Sequence, residues 1–137
     1  MEFDLRHTTI EDYQELCEWW DFWRWKDGKP SLDLLDDLKY GLMVSMDGKN
    51  ICSGFIYFTN AKQFGLLEYI VSSPFEKNRE IRKEALSFLI ESLKGIAKRN
   101  EVTTLISYLV NDSLINKYME AGFIIGDQNA TAMICKL

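Results

Sequence analysis

The spacing of hydrophobic and polar residues changes period several times along this chain, and each change marks an element. Glu2 to Arg6 alternate as a short strand. The run His7-Thr8-Thr9-Ile10-Glu11-Asp12 then offers Thr8 or Thr9 as a helix N-cap, and Thr8 with Glu11 three residues later has the form of a capping box. From Tyr13 to Leu38 the pattern is helical but broken at Asp27-Gly28-Lys29-Pro30, whose turn chemistry predicts two short helices, one on either side. Tyr40 to Met46 and Ile51 to Thr59 are β-rich runs joined by Asp47-Gly48-Lys49-Asn50, a hairpin signal, and Phe64 to Val71 is a further strand.

The period then lengthens. Ile81, Ala85, Leu89, Leu93, Ile96 and Ala97 fall on one face of a long amphipathic helix ending near Arg99-Asn100. Val102 to Val110 reads as a strand. Ser113 to Ala121 reads as a helix, capped by Asn111 and stopped by Gly122 at the C′ position. Two short closing strands are expected on either side of Gly126 to Ala130. The order β, α, α, β, β, β, α, β, α, β sets an antiparallel meander before a helical crossover. The predicted fold class is therefore α+β, a central twisted mixed sheet flanked by helices, in a single domain over 1–137 without repeats or linkers. Where strand, helix and next strand run parallel, the strand ends and the helix N-terminus form a crevice suited to a phosphorylated ligand.

Composition narrows the function classes. The 137 residues are 47% hydrophobic, enough to bury a core without staples. A formal charge of −5 leaves no global basic field, which argues against nucleic-acid binding. Cys17, Cys52 and Cys135 are odd in number and far apart, and His7 is the sole imidazole, so neither a metal site nor a disulfide framework is expected; Cys52 reads as a buried hydrophobe. No signal peptide or membrane-length apolar run occurs, so the expectation is a soluble cytoplasmic protein with no membrane partner.

One segment stands apart. Trp19-Trp20-Asp21-Phe22-Trp23-Arg24-Trp25 holds all four tryptophans. Helical spacing puts Trp19, Phe22 and Trp23 on a core face and leaves Trp20 facing outward, with Trp25 a second candidate. Exposed indoles would suit a homodimer, another partner or an acceptor pocket; packing of most of them into a small core is the competing reading. The acidic residues Glu18, Asp21, Asp33, Asp36 and Asp37 nearby fit either a cationic acceptor or a solvated face.

Three local segments, with the element order, resemble the GCN5-related N-acetyltransferase (GNAT) family over nearly the whole chain. They are Leu5 to Asp12 at the opening strand and helix start, the hairpin from Gly41 to Gly54, and Asn111 to Phe123 (NDSLINKYMEAGF) in the late helix. The small size and altered loop also resemble short GNAT-like proteins of bacteriophages. The departure lies in the pyrophosphate loop, which in the family reads Arg or Gln, two residues, Gly, one residue, Gly or Ala. Here the segment is Lys77-Asn78-Arg79-Glu80-Ile81-Arg82, and Glu80 and Arg82 stand where small residues let backbone N–H groups approach the pyrophosphate. Lys77, Arg79, Arg82 and Lys83 offer positive charge in compensation.

The resemblance implies acetyl-CoA as cosubstrate and transfer of its acetyl group to the amine of an unknown acceptor. It implies Tyr118 as the acid for the departing thiolate and Asn111 beside the pantetheine arm. The backbone of Ile70, Val71 and Ser72 would pair with pantetheine, and the segment from Lys77 to Arg82 would face the pyrophosphate. Glu68, on the strand before that loop, is a candidate base if burial raises its pKa, against the plainer reading of a salt-bridged surface carboxylate. The alternatives are a catalytically inactive GNAT-fold binding or assembly module, and an acyl-CoA or nucleotide sensor.

Overall fold

The computed structural model describes residues 1–25 and 28–137. Its sheet has five strands in the order β1 (Asp4–His7), β2 (Gly41–Met46), β3 (Lys49–Phe58), β4 (Phe64–Ser72) and β5 (Thr104–Ile106). The first four form an antiparallel meander, and β5 joins parallel to β4. The helices are α1 (Tyr13–Phe22), α2 (Arg79–Arg99) and α3 (Asp112–Glu120). The predicted mixed sheet with flanking helices is the observed architecture.

Local chemistry explains most of these elements. The β2–β3 turn is a two-residue loop in which Asp47 (φ 52°) and Gly48 (φ 77°) both take the left-handed conformation that a tight hairpin of this twist requires. Asn78 caps α2, its side chain accepting the N–H groups of Glu80 (3.0 Å) and Ile81 (3.3 Å), and Asn111 caps α3 by accepting Leu114 N–H at 3.0 Å. Gly122, at φ 98°, ends α3 as expected.

The sheet is covered on both faces. On one, α2 sets Ala85, Leu89, Ile90, Leu93 and Ala97 against Leu42, Val44, Cys52, Ile56, Leu67 and Ile70. A Cβ on Gly54 would lie 2.7 Å from Ile70 Cγ1 on β4 and 3.3 Å from Leu93 Cδ1 on α2, so glycine is what lets the Ile70 side chain and the helix pack this close. On the other face, Leu16, Trp19 and Trp20 from α1, with Leu35 and Leu38, pack on Met43, Phe55 and Val71. Both faces of β2 are therefore buried from Gly41 to Val44, the reason that run is continuously apolar rather than alternating.

Four expectations are corrected. The second helix before Leu38 is absent among the described residues: only a 3₁₀ turn forms at Asp36–Leu38, and all three of its residues have positive φ, while Asp27 of the predicted turn lies outside the described residues. The hydroxyls of Tyr13 and Tyr57 instead pin this segment through the Pro30 (2.9 Å) and Leu34 (2.6 Å) carbonyls. The capping arrangement falls on Thr9 and Asp12, whose Oδ2 accepts Thr9 N–H at 2.9 Å, because Thr8 is turned inward to donate to the Leu38 carbonyl at 2.6 Å. Strand β5 stops at Ile106, and after α3 no further strand forms among the described residues, the chain from 124 to 137 lying exposed. Finally, Trp19 and Trp20 are both fully buried, while Phe22 and Trp23 are the exposed rings. Helical spacing gives which residues share a face but not how wide a face the sheet covers.

Candidate active site

Beyond Leu66 and Ile106 the parallel pair β4–β5 comes apart, leaving the edge of β4 from Leu67 onward without a strand partner on that side. Two polar groups from the segment after β5 turn back to this edge. The Ser107 hydroxyl bonds the Leu67 carbonyl at 2.5 Å, and Tyr108 N–H donates to Glu68 Oε1 at 3.1 Å.

A β-bulge shapes the opening. The β3–β4 register slips between Ser53 and Phe55, and Tyr69 sits at φ 59°, a conformation a bulky residue adopts only where surrounding structure enforces it. With one extra residue in the strand, Leu67 and Ile70 face α2 while Glu68 and Tyr69 both open into the same cleft on the other side, beside Tyr57 and Leu66. Burial lifts the Glu68 carboxyl to about 7, with the Tyr108 N–H opposing only in part. The same burial raises the Tyr69 and Tyr57 phenols.

Tyr118 lies almost wholly buried on α3, edge-on to Phe123 at 4.7 Å between ring centres. Its hydroxyl is 2.9 Å from Ser107 Oγ. A serine has one proton and a carbonyl can only accept, so Ser107 donates to Leu67 and the Tyr118 proton points to Ser107. Burial pushes the phenol well above its ordinary range, and the nearby Glu68 charge adds to this. Tyr118 is thus protonated across physiological pH. Its contact with Ser107 and the link from Tyr108 to Glu68 tie both predicted catalytic residues to the same short segment.

The proposed cofactor residues are less uniform. Ile70 and Val71 are buried in β4, and the Ser72 carbonyl accepts the Trp23 indole N–H at 2.8 Å, so α1 already uses part of the strand end predicted for pantetheine. Asn111 is spent on its cap. At the start of α2, Glu76 Oε2 accepts Asn78 N–H at 3.0 Å, Asn78 caps Glu80 and Ile81, and Arg82 donates to the Glu76 carbonyl at 2.6 Å. Lys49 lies 3.5 Å from Glu76, whose carboxyl is held below its usual range chiefly by the Asn78 N–H. Lys77, Arg79 and Glu80 point to solvent, and Ile81 and Arg82 are half-buried. The helix N-terminus is therefore closed by its own side chains; a diphosphate would need Asn78 or Glu76 to give way.

Sequence reasoning missed Tyr57, Tyr69, Tyr108, Ser107 and Leu34. Only the alternation of β3 hinted at Tyr57; the others depend on the bulge and on the path after β5. A larger open depression of about 610 Å³ lies at the far end of β4 and β5, around Ala61, Gln63 and Thr103, away from every one of these groups. Among the described residues no group of three or more His, Cys, Asp or Glu is gathered to hold a metal ion, and no helix is long and apolar enough to cross a membrane.

A mixed five-stranded sheet whose β4 and β5 part beside the helix that crosses between them is the GNAT acyl-CoA N-acyltransferase fold, and solved structures match it. An N-acetylglutamate synthase from Neisseria gonorrhoeae, complexed with coenzyme A and N-acetyl-glutamate, superposes at TM-score 0.74 and 12% identity over 96% of this chain. This chain spans only 30% of that one. Rv2747 from Mycobacterium tuberculosis, in complex with CoA, matches at TM-score 0.70 and 15% identity, covering 94% of this chain and 76% of the other. A ribosomal-protein-alanine N-acetyltransferase from Brucella melitensis biovar Abortus matches end to end, 100% of each chain, at TM-score 0.65 and 15% identity. No protein-family model and no curated protein matches the sequence. The likeness is one of fold.

Proposed function

We propose that this chain is an N-acetyltransferase that moves an acetyl group from acetyl-CoA to an amine. The observation that carries the reading is Glu68, a half-buried carboxyl poised near 7 where β4 and β5 part. Such a group holds a proton about as readily as it releases one at neutral pH, the property a general base requires. Two neighbouring structures bound to CoA add support from the same fold.

In this reading Glu68 takes the proton of the acceptor ammonium. The freed nitrogen attacks the thioester carbonyl, the adduct nitrogen gives its second proton to solvent, the C–S bond breaks, and the thiolate receives the Tyr118 proton as the hydroxyl turns from Ser107. The phenolate is then reprotonated from solvent, to which Glu68 returns its own proton. The edge of β4 from Glu68 to Val71, between the Ser107 contact at Leu67 and the Trp23 contact at Ser72, suits an extended amide-bearing arm, with Ser72 joining it if Trp23 is displaced. Lys77, Arg79 and Arg82 supply charge for phosphates outside the closed turn, with Asn78, Glu80 and Ile81 offering N–H groups once the cap opens, and Asn111 bordering the arm. Isothermal titration with acetyl-CoA and with free CoA tests it: heat and a thermal shift at millimolar ligand are expected, and the absence of both overturns it.

The self-closed α2 N-terminus favours a second reading, a GNAT-fold binding or assembly module without catalysis. Its surface would be the exposed aromatic group Phe22, Trp23 and Phe75, with the Phe22 ring centre 5.0 Å from that of Trp23 and 6.4 Å from that of Phe75. A homodimer through these rings, lost on Trp23→Ala, with no CoA binding, would establish it. Three free thiols suit a reducing cytoplasm for either reading.

A further inference from the structure

The cleft that the Tyr69 bulge opens has a volume of about 230 Å³ and is lined by Leu34, Tyr57, Leu66, Glu68, Tyr69 and Tyr108. Three of the six are tyrosines, one is a carboxylate, and none is a cation. Tyr57 and Tyr69 meet edge to face, 6.3 Å between ring centres. Trp25 lies behind Tyr69 at 6.0 Å, and Trp20 behind Trp25 at 5.6 Å, so the aromatic wall is backed by the tryptophan-rich end of α1. The Tyr57 proton is committed to the Leu34 carbonyl, which holds that segment as the opposite wall and leaves the ring, not the hydroxyl proton, for the cleft.

Aromatic faces attract a cation through their quadrupole, and a carboxylate completes the charge balance of an ammonium group. The volume is below the roughly 300–1,000 Å³ of pockets for drug-sized ligands, which suits one narrow arm rather than a folded molecule. An α-amino acid would bring its own carboxylate within two bonds of the amine, against Glu68 and with no cation among the described lining residues to receive it. The segment that carries Leu34 also carries the exposed Asp33, Asp36 and Asp37, of which Asp36 pairs with Lys39 at 3.6 Å, so it brings negative charge to the chain that forms this wall.

We propose that this cleft is the acceptor subsite and takes a linear aliphatic amine or polyamine with no carboxylate beside its amino group, its ammonium held by Glu68 among Tyr57, Tyr69 and Tyr108. As an acceptor assignment this rests on the acyl-transfer reading, but the binding it requires does not need CoA.

The test is titration of the full chain, without CoA, by 1,4-diaminobutane, spermidine and glutamate, followed by NMR shifts. Both amines are expected to bind and glutamate not to bind. Glu68→Gln should weaken the amines about 10-fold or more, by loss of the charge-assisted contact. Exposed Tyr108 permits a pair of variants with little risk to folding: Tyr108→Ala should weaken binding and Tyr108→Phe should retain it. Failure of both amines to bind, equal binding of glutamate, or indifference to Glu68→Gln overturns the assignment. Amine binding in a protein that takes no CoA keeps the subsite and removes the transferase; turnover on glutamate with no diamine binding does the reverse.

Discussion

The Glu76 carboxylate accepts the backbone N–H of Asn78 at 3.0 Å, so the turn before α2 carries its own anion. That anion competes with any phosphate brought to the helix start. Glu76→Gln keeps the side-chain shape and removes the charge, and should tighten CoA binding by about 2- to 5-fold at low salt, the range of a helix-end charge effect. Asn78→Ala removes the cap on Glu80 and Ile81 and should cost about 1 kcal/mol of stability. Titration calorimetry and urea unfolding read the two effects separately.

Glu68 links stability to pH. Its folded value near 7 lies above the 4.5 of an unperturbed glutamate, so between these values the folded chain holds a proton that the unfolded chain has released. Stability from this group is full below about 4.5 and is lost as pH rises through about 7. Glu68→Gln should flatten that stretch of the stability profile. Turnover should change the other way, kcat/KM rising with pH through an apparent pKa near 7 as the base deprotonates. A wild-type rate profile flat from pH 6 to 8 would remove Glu68 from the role.

Tyr118→Phe retains the ring packed on Phe123 and removes the hydroxyl that meets Ser107. Ser107 keeps its bond to Leu67, so the folding cost should be small, about 1 kcal/mol. If Tyr118 supplies the thiolate proton, kcat falls by about 100-fold or more while CoA affinity stays within error. Loss of affinity with kcat unchanged would mark a packing role instead.

The tryptophans divide sharply. Trp20 is fully buried and its indole N–H has no partner among the described residues, so Trp20→Ala should cost about 3–5 kcal/mol through the void it leaves. Trp23 is 46% exposed with its N–H on Ser72, and Trp23→Phe should cost no more than about 1 kcal/mol. Thermal unfolding of the two variants tests this. The same contrast makes Trp23 the informative position for any change in oligomeric state, because loss of assembly in Trp20→Ala would follow from unfolding alone.

The meander, the crossover helix and the Asn111 cap were legible because each is written within a few residues. Turn positions demand positive φ at Asp47 and Gly48, a helix needs apolar residues every three or four places, and a cap needs an oxygen at Asn111; the same role of Asn78 emerged only from the structure. Tyr118 could be named from a family resemblance and Glu68 from its place on the strand before the loop, though not their surroundings. The Tyr69 bulge left no local signature, and neither did the parting of β4 from β5, the choice of Trp19 and Trp20 as the buried pair, or the closing of the α2 turn by Glu76. These features depend on which distant segment arrives beside each residue: Leu34 over Tyr57, Tyr108 on Glu68, Trp23 on Ser72. By itself the sequence determined the hairpin, the crossover helix and the late helix with its cap, whose signals are local. Tertiary structure alone decided the burial that lifts the Glu68 carboxyl and the aromatic walls of its cleft, because desolvation is a property of the neighbours a residue acquires on folding.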